Sequence, residues 1–126
     1  MKKRNNILKI AIDSPAAAGA GTLAKSISKH YNLMYIDTGK IYRLIALYKL
    51  KFPKKFNLKF IKKKIKSLKI KDLENNLLLS NEVGIEASII AKNKNIRKLI
   101  HNFQVNFAYN PPKKYNGSCL DGRDIT

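Results

Sequence analysis

The chain has 126 residues, 44% of them hydrophobic, and a formal net charge of +18. That length accommodates one domain with a modest core and not two. No stretch approaches the roughly 20 apolar residues of a membrane span. The apolar run at residues 7–12 is interrupted by Lys9 and closed by Asp13, so it reads as a strand rather than a signal-peptide core. The single cysteine, Cys119, excludes an intramolecular disulfide and suits a reducing cytoplasm, the expected location.

The β-rich run "ILKIAI" (7–12) is followed by turn residues and predicts a first strand. Thr22 opens a helical pattern to about Tyr31, with Leu23, Ile27 and Tyr31 on its apolar face. "LMYID" (33–37) predicts a second strand. Thr38 and Gly39 then lead into a helix with Ile41, Leu44, Ile45 and Tyr48 at helical spacing, ending before Pro53. Strand–helix–strand–helix order predicts an α/β fold with a parallel sheet flanked by helices.

Asn57 is placed to cap a helix whose apolar positions are Leu58, Ile61, Ile65 and Leu68. Lys59, Lys62, Lys63, Lys64 and Lys66 cover its other side, by default a solvated face, with an RNA-binding or membrane-surface helix as the alternative. "LKIKDLENNLLL" (68–79) predicts a hairpin turning at Asn75 and Asn76. Residues 82–108 are helical in pattern, as two helices. "NPPKKYNG" (110–117) is a loop, and "SCLDGRDIT" (118–126) a short strand running into a polar turn. Cys119 is expected to be a small buried strand residue, and His30 and His101 partly exposed helix residues.

A charge of +18 raises a nucleic-acid partner, because lysines that neutralise phosphates release counterions. Of the 26 basic residues, however, 22 are lysine, and only Arg4, Arg43, Arg97 and Arg123 carry the planar fork that phosphate and base readers favour. Lysine, asparagine and isoleucine are abundant together, as AT-rich codons would produce, so a nucleic-acid partner is disfavoured. In such a background a retained arginine marks work that lysine cannot do.

The segment "IDSPAAAGAGTLAK" (12–25) lies between the first strand and the first helix. A phosphate-binding loop needs glycines so that backbone N–H groups converge on an anion at a helix N-terminus. Gly19 and Gly21 supply glycines, and Thr22 a hydroxyl for phosphate or Mg²⁺. Position 14, where the strict pattern has glycine, is Ser14, and position 20, where it has lysine, is Ala20. Taken alone, the segment reads equally as a tight connection of small residues.

Two further motifs follow other predicted strands: "DTGKIYR" (37–43) and "LDGRDI" (120–125). With "IAIDSPAAAGAGTLAK" they resemble, in order, spacing and sequence, the bacterial cytidylate kinase family, which shows an IDGPxxxGKGT loop, then DSGxxYR or DTGxxYR, then DGRDIGT. "EVGIEASIIAKNKNIRKLIHNFQVNFA" (82–108) also resembles the family's EV…AS…VR…QR helices. The last motif here reads "GRDIT", one glycine short, and the family's IR[ST]xEV appears as "LLSNEV" (78–83), without its arginine. The resemblance spans essentially the whole chain and about the N-terminal half of a typical member.

The resemblance implies an incomplete P-loop nucleoside monophosphate kinase domain. Residues 1–52 would form the phosphate-loop core, 53–110 a monophosphate-binding insert, and 111–126 a core strand with the DGRD turn. It implies transfer of the ATP γ-phosphoryl group to CMP or dCMP, with Mg²⁺, by a cytoplasmic enzyme that is monomeric when complete. Ser14, Pro15, Ala16, Ala17, Ala18, Gly19, Ala20, Gly21 and Thr22 would hold the ATP phosphates, with Thr22 as a candidate Mg²⁺ ligand. Thr38, Arg43 and Arg123 match positions that bind the acceptor phosphate. Ser88, Arg97 and Asp124 match those that read cytosine, with Asp121 beside them. In the resembled fold the loop-bearing strand is central, so within these residues "ILKIAI" is expected to present an open edge. Two other readings stand: a truncated or decayed relative with little activity, and a basic RNA-associated protein built on the same half-fold.

Overall fold

A computed structural model describes residues 7–13 and 20–122. The chain divides into two compact units, Met1–Gly39 with Phe103–Thr126, and Lys40–Asn102.

In the first unit, β1 (Leu8–Asp13), β2 (Leu33–Asp37) and β3 (Gly117–Gly122) form a parallel sheet in the order β1-β3-β2. The last strand in sequence is therefore the central one. Leu8 pairs in register with Gly117, Ile12 with Asp121, and Asp37 with Asp121 on the other side. Flanked on both sides, β3 is buried from Gly117 to Asp121, whereas β1 lies at the edge with Leu8 41% exposed. Among the described residues β1 pairs only with β3, so the expected open edge is present there.

Helix α1 (Ala20–Tyr31) begins two residues before the sequence pattern indicated. Its packed face also differs from the expected one. Ala24 and Ser28 are buried, Ile27 packs against the same cluster, and Leu23 and Tyr31 are exposed. Small residues allow a close approach to the sheet: Ala24 packs with Leu33 and Cys119, and the Ser28 hydroxyl donates to its own helix at the Ala24 carbonyl, 2.7 Å away. Cys119 is fully buried as expected, and burial pushes its thiol up from the ordinary range. The α1–β2 turn is closed by Asn32 at φ 55°, a left-handed conformation that asparagine tolerates. The Asn32 amide donates to the Lys114 carbonyl and its own carbonyl accepts from the Asn116 N–H, tying this turn to the loop before β3.

Helix α2 (Thr38–Lys51) runs from the first unit into the second. Ile41, Leu44 and Ile45 are buried as their spacing predicted. In the second unit, Asn57 caps α3 (Leu58–Lys66) by accepting from the Phe60 N–H at 2.8 Å. Ile61, Ile65 and the following Leu68 are buried, but Leu58 is 42% exposed, since the first turn of the helix lies beyond the packed stripe. Lys59, Lys62, Lys63 and Lys66 are exposed at i, i+3, i+4 and i+7. Like charges at such spacings cost a helix about 0.2–0.5 kcal/mol per pair.

The predicted hairpin does not form. Residues 68–79 instead make two 3₁₀ turns, Ile70–Glu74 and Asn76–Leu79. Local side-chain bonds decide this: Asp72 accepts from the Lys69 N–H, and Asn75 accepts from the Leu77 N–H. Such bonds offer the backbone an alternative to a strand ladder. Leu73 and Leu78 are buried by the turns, while Leu77 and Leu79 remain exposed. Helix α4 (Asn81–Ile90) is capped by Ser80, and α5 (Lys94–Tyr109) starts where Asn93 accepts from the N–H groups of Asn95 and Ile96. These are the two helices expected between 82 and 108, and His30 and His101 are exposed on α1 and α5.

Candidate functional site

All three strands are parallel, so their carboxyl ends share one edge of the sheet, where α/β folds place ligands. Asp13 ends β1, Asp37 ends β2, and Asp121 stands one residue before the end of β3.

Asp37 turns the chain into α2, its carboxylate accepting from the Gly39 N–H at 3.0 Å. Thr38, 2% exposed, donates its hydroxyl to the Asp121 backbone carbonyl at 3.0 Å. The Asp121 carboxylate, also buried, accepts from the Tyr35 hydroxyl at 3.0 Å. The structure therefore brings Thr38 and Asp121 together, with Tyr35 as a partner that the sequence analysis did not single out. The signal was available: period-two alternation puts Tyr35 on the same face of β2 as Asp37. Thr22 lies exposed in the first turn of α1. Ala20 and Gly21 open that helix. Ser14, Pro15, Ala16, Ala17, Ala18, Gly19, Arg123 and Asp124 lie outside the described residues.

Burial first, then the hydrogen bond to Asp121, then the negative charges of Asp37 and Asp121, push the Tyr35 hydroxyl far above its ordinary range. In the unfolded chain this phenol ionises near pH 10. Above that pH the folded chain holds a proton that the unfolded chain has released. Its contribution to stability is full below about pH 10 and drains away as pH rises toward the folded value. Thermal melts between about pH 9 and pH 11 should thus show the wild-type midpoint falling more steeply than that of Tyr35→Phe. Parallel curves would show that Tyr35 is not held in this bond.

In the second unit, Arg43 on α2 is half-buried, and its Nη1 donates to the Leu78 carbonyl at 2.7 Å. It thereby fastens the second 3₁₀ turn with one of its five donors. Gly84, on α4, makes the room. A Cβ there would stand 3.2 Å from Nη2 and 3.3 Å from Nη1 of Arg43. A glycine inside a helix costs about 1 kcal/mol against alanine, and that anomaly in "EVGIEAS" was the signal for a packing role. Ser88, exposed, donates to the Ile85 carbonyl at 2.6 Å, a local bond that its hydroxyl must exchange before it can donate to a base. Arg97 is exposed on α5. On the face of α2 that carries Lys49, that lysine ion-pairs with Glu86 of α4.

Relatives of known name decide the family. A sequence profile described as cytidylate kinase matches residues 10–126. The chain belongs to the cytidylate kinase family. It is 45% identical over 121 residues to a protein named cytidylate kinase from Bartonella tribocorum, an alignment covering 92% of this chain and 53% of the relative. Cytidylate kinases of Bradyrhizobium sp. (strain ORS 278) and of Rhodopseudomonas palustris (strain ATCC BAA-98 / CGA009) are 39% and 38% identical, each covering 92% of this chain and 53% of the relative. The chain therefore spans about half the length of the curated relatives it matches. The three-stranded parallel sheet with its helices is the incomplete P-loop nucleoside monophosphate kinase fold that the motifs implied.

Proposed function

We propose that this chain serves the transfer of the γ-phosphoryl group from ATP to CMP or dCMP, giving ADP and CDP or dCDP. The observation that carries the reading is the family match through residues 10–126, which takes in all three motifs. An oxygen of the acceptor phosphate attacks the γ-phosphorus as the bond to the β–γ bridging oxygen breaks. Catalysis of such transfer rests on positioning and charge neutralisation.

In this reading Ser14 to Thr22 cradle the ATP phosphates with backbone N–H groups at the start of α1. Thr38, Arg43 and Arg123 take the phosphate of the acceptor. Ser88, Arg97 and Asp124 read cytosine, with Asp121 beside them: a carboxylate accepts from the exocyclic amine, while arginine and hydroxyl groups donate to N3 and O2. Asp121, Tyr35 and Thr38 are joined by hydrogen bonds at the edge that carries them.

Among the described residues no cluster of three or more His, Cys, Asp or Glu side chains is arranged for a metal. Mg²⁺ needs none in a nucleotide site, where one or two protein oxygens join phosphate and water ligands. The exposed hydroxyl of Thr22 fits that role, and the ion would neutralise charge on the phosphates. Ala20 favours a second reading, a relative that holds nucleotide but transfers slowly. Loss of one preorganised charge-stabilising donor costs on the order of 10²–10³ in rate. The location proposed is the cytoplasm; among the described residues no helix is long and apolar enough to cross a membrane. When complete, the protein is proposed to act as a monomer.

Arg43→Lys tests the acceptor-phosphate assignment. Lysine loses the bidentate fork, so CMP affinity by calorimetry should fall about ten- to a hundredfold while the melt stays cooperative. CMP affinity unchanged in a folded Arg43→Lys protein would remove Arg43 from the site.

A further inference from the structure

The charge of this chain is not spread evenly. Residues 38–71 hold 13 of the 26 basic residues and no Asp or Glu, a net +13 over 34 residues against +5 over the other 92. A codon bias toward lysine acts on every surface position alike and does not account for this asymmetry. Nor does it account for the stripe on α3. Lys59, Lys62, Lys63 and Lys66 are all exposed on one line of the helix, and asparagine, which the same bias favours, takes none of those positions. Adjacent like charges at this spacing work against the helix. A bound polyanion would relieve that repulsion.

Aromatic rings lie beside the lysines. Phe52, just past the end of α2, is 40% exposed, and its ring centroid is 6.1 Å from that of Phe60 on α3. Lys54 and Lys55, both exposed, follow it after Pro53. An exposed ring among cations that track phosphates is the pairing with which proteins hold unpaired nucleotides: bases stack and the backbone is neutralised. Lysine rather than arginine fits contact that ignores sequence. A membrane surface fits less well, because Ile61 and Ile65, the apolar side of α3, are buried in the unit and cannot enter lipid.

We propose that the α3 lysine stripe and Phe52 form a binding surface for single-stranded RNA, recognised by its phosphates and base faces without regard to sequence. This surface is separate in its residues from those assigned to CMP and ATP.

The test uses the full chain and a labelled oligouridine of about 20 nucleotides with a 3′-hydroxyl, followed by fluorescence anisotropy across a salt series. Binding is expected at about 50 mM salt and should weaken steeply as salt rises. Each lysine on a phosphate contributes about 0.7 to the slope of log K against log salt. The variant with Lys59, Lys62, Lys63 and Lys66 all changed to Gln should therefore lose a slope of about 2–3, and bind at least tenfold more weakly. The same change at Lys29, Lys92, Lys113 and Lys114 should leave most of the binding in place. Phe52→Ala should weaken binding at least about fivefold with the slope unchanged. No binding at low salt, equal losses in the two quadruple variants, or tighter binding to vesicles rich in phosphatidylserine would each overturn the proposal.

Discussion

Gly117→Ala is expected to destabilise the chain by at least about 3 kcal/mol, out of the 5–15 kcal/mol that a domain of ordinary stability possesses. A Cβ at position 117 would overlap the backbone carbonyl oxygen of Leu8, and stand 2.8 and 2.9 Å from that residue's carbonyl carbon and nitrogen. These are main-chain atoms of a paired strand, so no rotamer change can clear them. Alanine must push the start of β1 away or bend β3. Either response strikes the centre of the sheet, since β3 pairs on both sides and carries the buried Cys119 and Leu120. Urea melts of the full chain measure the effect as a lower midpoint. A change below about 1 kcal/mol would mean that β1 does not pair with β3 at Leu8 and Gly117.

Ala20→Lys should tighten ATP binding about ten- to a hundredfold, the range of one charge-assisted contact to phosphate. Position 20 is the first residue of α1, where the helix dipole already favours negative charge. An ammonium there would join the proposed phosphate site without altering any of the described hydrogen bonds of the sheet edge. Calorimetry with ATP on both proteins, each first shown to melt cooperatively, gives the comparison. Equal affinities would mean that residues 14–22 do not cradle a nucleotide.

How much of this was legible in the sequence depended on whether the signal was local. The strands 8–13, 33–37 and 117–122 follow from β-rich runs closed by turn residues, and the Asn57 cap from its place before an apolar pattern. The two 3₁₀ turns were not legible as such. Leucines and isoleucines alternating around Asn75 and Asn76 imitate a hairpin, and only the bonds made by Asp72 and Asn75 turn the backbone elsewhere. The packed face of α1 was misassigned because periodicity marks large apolar residues. A helix lying close on a sheet instead buries small ones, here Ala24 and Ser28.

The candidate site divides in the same way. Thr38, Arg43, Ser88, Arg97 and Asp121 were found through motifs, which preserve residue type at fixed spacing. Tyr35 and Gly84 belong to no motif, and their parts rest on contacts with Asp121, 86 residues away in sequence, and with the Arg43 guanidinium. Contacts of that kind are set by the fold and become visible only once the chain is folded.

The central claim is a site for a cytosine monophosphate, and titration of the full chain with CMP and with UMP tests it most directly. The two ligands differ where the exocyclic amine of cytosine is replaced by the carbonyl of uracil. A carboxylate placed to accept from the amine is left facing an acceptor when UMP binds. The account predicts CMP binding at least tenfold tighter than UMP. UMP binding as tightly as CMP, or neither binding to a folded chain, would contradict it.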